Sequence, residues 1–421
     1  MSNVIKQATP ASNPAPIAPP PTNQPVANDV VANLRAFFRN DMGFLPIIVV
    51  LVAITSFFEV TSGGSFFSSQ NLTNLLLQTI TTGTLAIGAT LVLLLGEIDL
   101  SLAAVSGVCA AVVGVLVAQT GGDTSRGFGL DPWLAILGAL IVGAIIGLVN
   151  GFFIAVLRVP AFIVTLSGSI AYAGLILVVL GPNGTLKIND NTINGIASNY
   201  LPNWLSIVVV AIVVLLYVAS LFINRQSRLR VGLRARNPAQ LALQAGLVVV
   251  VVAVVVLSLQ SFNGVPVVGI ILMGLVILFW LILTRTGFGR HVYAVGGNAE
   301  ASRRAGINVT GVRIMIFVLA STLAAVSGIL EASRERSVPA AVNPTLLLDA
   351  IAAAVIGGVS LFGGRGSVWA IVLGSLVVKS LENGLTLLGQ SQEIVEIVQG
   401  AVLLLAVTLD ALLRRGTAVR R

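Results

Sequence analysis

The chain has 421 residues, 56% hydrophobic and 10% charged, with a mean hydropathy of +0.99 and a formal net charge of +8. Soluble globular proteins carry roughly 25% charged residues, so these values exclude one, and a single cysteine, Cys109, excludes a disulfide scaffold. Apolar content this high makes the bilayer the solvent, and the positive charge then reads as cytoplasmic loops, with no nucleic-acid partner.

Residues 1–43 form a polar stretch holding Pro10, Pro14, Pro16, Pro19, Pro20, Pro21 and Pro25. Such a segment buries too little apolar area to order itself and reads as a disordered cytoplasmic tail. The first apolar run starts near Leu45, too late for a secretory signal. From 44 to 413 apolar runs alternate with short polar breaks, forming one transmembrane domain. A helix needs about 20 apolar residues to cross the hydrocarbon. The runs predict twelve spans: 44–61, 73–96, 98–118, 133–157, 161–180, 204–223, 242–261, 264–283, 312–331, 346–362, 367–388 and 393–412. The segment 346–362 is short enough to be re-entrant. The arginines argue for a crossing: Arg225–Arg236, Arg285–Arg313 and the basic tail at 414–421 are each separated by an even number of spans, and share one side with Lys6, Arg35 and Arg39. The expected fold is an all-α polytopic bundle with both termini cytoplasmic.

The polar residues inside or beside apolar runs are candidates for the transport path. Glu97, Asp99 and Ser101 lie between the second and third spans, either as an interfacial turn with Asp99 capping a helix or as a broken-helix site whose carboxylates accept hydrogen bonds from hydroxyls. Asn150 and Asn383 suit helix-to-helix hydrogen bonds. Phe162, Thr165 and Ser167 fit a pathway wall, an aromatic beside hydroxyls, and equally fit routine packing. Lys379 and Glu382 are three apart on one helical face and predict an internal salt bridge. A faint repeat relates Ile98–Val105 to Leu348–Val355 and Trp133–Gly151 to Trp369–Gly384. The two copies run in opposite directions, as in an inverted repeat, although low-complexity apolar sequence also produces such matches. The glycines cluster within spans, as at Gly138, Gly143, Gly147 and Gly151, which suits close helix packing.

The loop 284–312 contains a punctuated short helix. Asn298 is a good N-cap, Ala299 and Glu300 open the first turn, Arg303 and Arg304 close the last, and Gly306 is placed for a C′ stop. A helix of two turns does not hold alone in water. It docks either on a partner or on its own bundle. No catalytic constellation is found: His291 is the only histidine, and Lys6, Lys187 and Lys379 are the only lysines, none in a phosphate-binding loop. The chain reads as a non-enzyme.

Four stretches in order carry a resemblance. RTGFGRHVYAVGGNAEASRRAGI, which includes Gly296 and Gly297, looks like the cytoplasmic coupling segment of bacterial sugar ABC-transporter permeases of the ribose/xylose/galactose group. GEIDLSLAAVSG, NGFFIAVLRVPAFIVTLSGSIAYAG and AIAAAVIGGVSLFGGRGSVWAIVLGSLVVKSLENGLTLLG resemble that group's other motifs. An additional helix pair at about 204–261, before the coupling segment, resembles the xylose-type branch. Glu97 stands where the group usually has Gly, Leu102-Ala103-Ala104 replaces its Val-Gly-Ser, and Arg303-Arg304 replaces the more usual Arg-Leu.

The resemblance implies an importer for a monosaccharide, a pentose such as xylose, in the bacterial cytoplasmic membrane. It implies two permease copies, a separate cytoplasmic ATPase seated on 296–306 and an extracellular or periplasmic sugar-binding protein. ATP would be used by the partner, and no cofactor is expected in this chain. An ion- or proton-coupled carrier using Glu97, Asp99, Lys379 and Glu382 is the alternative.

Overall fold

The computed structural model describes residues 45–119, 127–181, 184–230, 232 and 238–418. The expected Pro-rich tail at 1–43 lies outside the described residues, as do 419–421 of the basic tail. The helices in chain order are α1 Leu45–Thr61, α2 Ser69–Leu94, α3 Leu102–Val117, α4 Pro132–Ala155 and α5 Ala161–Leu180. Then come α6 Asn191–Ser198, α7 Asn203–Arg230, α8 Pro238–Gln260, α9 Val267–Arg285, α10 Gly287–Gly297 and α11 Ala299–Arg304. The last are α12 Val309–Glu335, α13 Pro344–Ile356, α14 Val368–Leu387 and α15 Gln392–Ala418. Two short strands, β1 Leu186–Lys187 and β2 Ser337–Val338, pair antiparallel with Leu186 opposite Val338.

Among the described residues, α2, α4, α5, α7, α9, α12 and α14 are long and apolar enough to cross a membrane. Four shorter apolar helices accompany them, within α1, α3, α8 and α13. The molecule is therefore an all-α polytopic membrane protein.

The long helices differ widely in how far protein covers them. The apolar window of α2 is 83% buried inside the protein and that of α12 is 61%, against 6% for α7. A helix that is apolar all round but unburied by protein needs lipid around it, which is the case for α7. The core helices pack through small residues. On α4, Gly143, Gly147 and Gly151 fall at four-residue spacing and so share one face. A Cβ on Gly143 would stand 2.8 Å from the Ala325 Cβ, and one on Gly151 2.9 Å from the Ile314 Cα of α12. On Gly147 it would fall against the Phe317 carbonyl oxygen. Gly147→Ala is expected to cost about 1–3 kcal/mol, the usual price of overpacking, read as a lower thermal unfolding midpoint in detergent.

Some helix boundaries differ from those that apolar content predicts, and at two of them glycine is the reason. The run 346–362 is helical only to Ile356, because Gly358, Gly363, Gly364 and Gly366 have φ of +84°, +84°, +71° and +155°. Residues 357–367 instead form a tight loop. The span expected from 98 starts at Leu102, since Gly96 at φ +77° ends the preceding turn. The loop 284–312 holds two helices rather than one. Thr286 caps α10 by accepting from the Gly289 N–H at 3.2 Å, and Val292 and Val295 bury its inner face. Helix α7 runs on to Arg230, past the expected end at 223.

Candidate functional site

The residues of interest gather in three places. The first is a junction where three chain segments meet backbone to backbone. The Gly364 N–H donates to the Leu94 carbonyl at 2.9 Å, at the end of α2. A Cβ on Gly96 would stand 3.2 Å from the Phe362 carbonyl oxygen, and one on Gly363 2.6 Å from that of Gly296. A Cβ on Gly296 itself would collide with the Leu94 carbonyl oxygen. The Tyr293 hydroxyl donates to the Gly366 carbonyl at 2.9 Å, tying α10 to the 357–367 loop. Burial pushes the Tyr293 phenol above its ordinary value. The end of α10 is thus wedged between the end of α2 and the loop before α14.

Helix α11 extends from this junction. The Asn298 Oδ1 accepts from the Ala301 N–H at 2.9 Å, and Gly306 takes φ +84° beyond the last turn. Glu300 pairs with Arg303 at 3.3 Å and Arg304 at 3.2 Å, all three exposed. Exposed pairs of this kind contribute little to folding, about 0–1 kcal/mol each, so this face is free to be spent on recognition. Ser302 is buried and turns the opposite face inward. Gly297 has open space around it, and Ala299 packs against the core.

The second place is the break between α2 and α3. The buried Asp99 Oδ1 accepts from the Ser101 N–H at 2.8 Å and the Ser101 hydroxyl at 2.6 Å. The Asn150 Nδ2 donates to the Ser101 Oγ at 3.2 Å, and the Tyr172 hydroxyl donates to the Asn150 Oδ1 at 2.7 Å. The Thr165 Oγ1 accepts from the Leu100 N–H at 3.0 Å. Asp99, Ser101, Asn150 and Tyr172 therefore form one side-chain network joining α3, α4 and α5, and Thr165 holds the adjacent Leu100 backbone. The Asp99 Oδ2 is buried without a hydrogen-bond partner. Glu97 stands apart, paired with Arg313 at 2.9 Å at the start of α12. Phe162 and Ser167 lie on the exposed side of α5, away from this network.

The third place is between α13 and α14. The Lys379 Nζ meets the Asp349 Oδ2 at 2.7 Å and the Glu382 Oε2 at 2.5 Å, and the Gln399 Nε2 donates to the same Glu382 oxygen at 3.1 Å. Asp349 and Lys379 are 2% and 7% exposed, so the lysine is a buried cation with two carboxylates. One turn on, Asn383 and Asn71 exchange hydrogen bonds of 2.8 and 3.0 Å, joining α14 to α2. Sequence reasoning placed Lys379, Glu382 and Asn383 here and missed Asp349 and Asn71. Asp349 was detectable as a lone acid within an apolar run, in register with Asp99 in the faint repeat. Tyr172 was detectable too, seven residues and two turns beyond Thr165 on the same helical face.

Among the described residues no group of His, Cys, Asp and Glu is arranged to hold a metal. A family model described as branched-chain amino acid transport system / permease component matches residues 71–407. The xylose transport system permease protein of Haemophilus influenzae is 35% identical over 369 residues, covering 87% of this chain and 96% of that protein. The ribose import permease of Bacillus subtilis is 32% identical, with 87% and 90% covered. The fructose import permease of Rhizobium meliloti is 29% identical, with 92% and 91% covered. No solved structure matches at a significant level.

Proposed function

Because the chain belongs to the family of bacterial sugar-type ABC-transporter permeases, we propose that it carries a pentose, xylose before ribose, across the cytoplasmic membrane by alternating access. It is the membrane permease component of a sugar ABC importer, a transport protein and not an enzyme. The seven long and four shorter apolar helices, with α15 as the last, support twelve crossings. The basic segments at 225–236, 285–313 and 414–421 then fall on the cytoplasmic side together with both termini. The opposed runs around Asp99 and Asp349 support an inverted repeat.

One observation carries the mechanism: α10 is wedged by bare backbone against the end of α2 and the loop before α14, while α11 presents a charged, exposed face. Such a segment converts a push from outside the bundle into movement of its central helix. An ATPase subunit spending ATP on the cytoplasmic face supplies that push. A sugar-binding protein delivers substrate on the other side, and a second copy of the permease completes the pathway. The Asp99, Ser101 and Asn150 network, with Thr165 beside it, and the Asp349, Lys379 and Glu382 cluster are the proposed polar elements of the path. Their hydroxyl, amide and carboxylate groups match the hydrogen-bonding demands of a sugar.

Reconstitution in vesicles with the ATPase and the binding protein tests this. Uptake of labelled xylose is expected only with ATP and the ATPase present. Uptake sustained by an ion gradient alone would overturn the reading in favour of an ion- or proton-coupled carrier. The double change Glu300→Lys with Arg303→Glu reverses the charges of the α11 face. Like-charge contacts across an interface cost several kcal/mol, so recovery of the ATPase with the purified permease is expected to fall at least about tenfold. Unchanged recovery would remove α11 from the docking surface.

A further inference from the structure

A cavity of about 240 Å³ opens where α4 ends and α5 and α12 begin, beside α11. Three arginines line it: Arg158 from the α4–α5 turn, Arg303 from α11 and Arg313 from α12. Glu97 is its one acidic residue, and it is paired with the Arg313 Nε. Three guanidinium groups against one carboxylate leave the cavity strongly positive. Arg303 has only the exposed Glu300, and Arg158 has no carboxylate partner among the described residues.

Two further features add to the positive potential and mark Arg158. Helix α5 starts at Ala161, on the cavity wall, behind Pro160, which makes no side-chain cap. The positive end of a 20-residue helix dipole therefore lies at this space, although the Ile163 and Val164 N–H groups already donate to the Pro160 carbonyl. Arg158 holds φ at +58°, a conformation that favours glycine. The turn is closed by hydrogen bonds from the Leu157 and Val159 N–H groups to the Phe152 and Phe153 carbonyls, and these hold Arg158 in its left-handed conformation. An arginine kept there at a conformational cost, aimed into a cavity with two others, indicates that its charge is used.

We propose that this cavity binds a phosphate group, and that the phosphate belongs to the headgroup of an anionic lipid in the cytoplasmic leaflet. Guanidinium groups and free helix N–H groups are the donors that phosphate recognition employs. The lipid source is favoured by what flanks the cavity. Val156, Leu157, Phe162 and Ile163 are 45%, 53%, 57% and 44% exposed, an apolar rim on the ends of two spans. Acyl chains lying on that rim would place a headgroup over the arginines. A lipid bound here would touch the α4–α5 turn, the coupling helix through Arg303 and the Glu97–Arg313 pair at once. It would brace the junction from the membrane side. The leaflet assignment rests on the cytoplasmic orientation proposed above. The binding itself does not, since it is read on purified protein.

Native mass spectrometry of the detergent-purified permease with phosphatidylglycerol or phosphatidylcholine tests the site, with inorganic phosphate as a separate probe. Phosphatidylglycerol is expected to be retained about tenfold more strongly, and Arg158→Gly to remove that preference. Glycine relieves the backbone at this position, so the unfolding midpoint should not fall and loss of lipid cannot be ascribed to unfolding. Arg158→Lys should keep part of the preference. Arg336→Gly, at the other arginine with positive φ, should leave it intact. If inorganic phosphate binds in an Arg158-dependent way while the two lipids are retained equally, the phosphate site stands and the lipid as its source is overturned. Equal retention with no phosphate binding, or a preference that survives Arg158→Gly, overturns the site itself.

Discussion

Lys379→Met is expected to cost about 3–5 kcal/mol of folding stability, the largest loss from any single substitution considered. The reason is the environment of its partner. Asp349 is 2% exposed and meets the Lys379 Nζ at 2.7 Å. Removing the cation leaves that carboxylate buried with no compensating charge. The expected result is a permease that extracts poorly and unfolds well below the wild-type midpoint when followed by tryptophan fluorescence in detergent. The compensating change discriminates cause. Replacing a buried ion cluster by apolar groups of similar volume is often neutral or stabilising, so Asp349→Leu with Lys379→Met and Glu382→Gln should recover most of the midpoint. If the midpoint recovers but sugar uptake does not, the cluster serves transport. If both recover, it serves only packing. A lone Lys379→Met with an unchanged midpoint would show that the cluster is not buried as described.

The second large effect is on transmission, not stability. Gly296→Ala places a Cβ against the Leu94 carbonyl oxygen, and no side-chain rotation relieves a clash between two backbones. The end of α10 must retreat from α2. Coupling between distant sites is typically worth 5–150-fold, and loss of that factor is expected in ATP-driven uptake by reconstituted vesicles. Hydrolysis by the attached ATPase should persist, because the α11 face is untouched. Gly297→Ala is the internal control: nothing lies within 4 Å of its added methyl group, and uptake should stay at the wild-type level. Equal effects from the two neighbours would dissolve the wedge as an explanation.

Legibility from sequence divides along physical lines. The course of each span is legible because about 20 apolar residues in a row have one use in a membrane protein. The span ends are not, because they depend on φ. The run after Ile356 is apolar enough to continue as helix, yet four glycines with positive φ fold it into the loop that holds Leu94. Helix α10 is obscured for a related reason. Gly287, Gly289, Gly296 and Gly297 lower its intrinsic helicity, and it forms because Val292 and Val295 find a core to bury in. Of the polar residues, Asp99, Ser101, Asn150 and Thr165 come together because each is expensive in hydrocarbon unless paired. Phe162 and Ser167 do not join them. Ser167, two residues on, is turned about 200° from Thr165 around the helix, while Phe162, a turn earlier on a neighbouring face, stands 57% exposed at the start of α5.

The glycine junction also separates two jobs that many proteins combine in one surface. Where Leu94, Gly296 and Gly363 meet, there are no rotamers to adjust and hence no slack to absorb a displacement. Such a contact behaves like a machined bearing, and it offers substitution nothing to act on except damage. Under the docking proposed above, partner choice is written somewhere else, on the exposed charges of α11 that carry little of the fold's stability. The permease can drift in which motor it accepts while the linkage behind that face stays fixed.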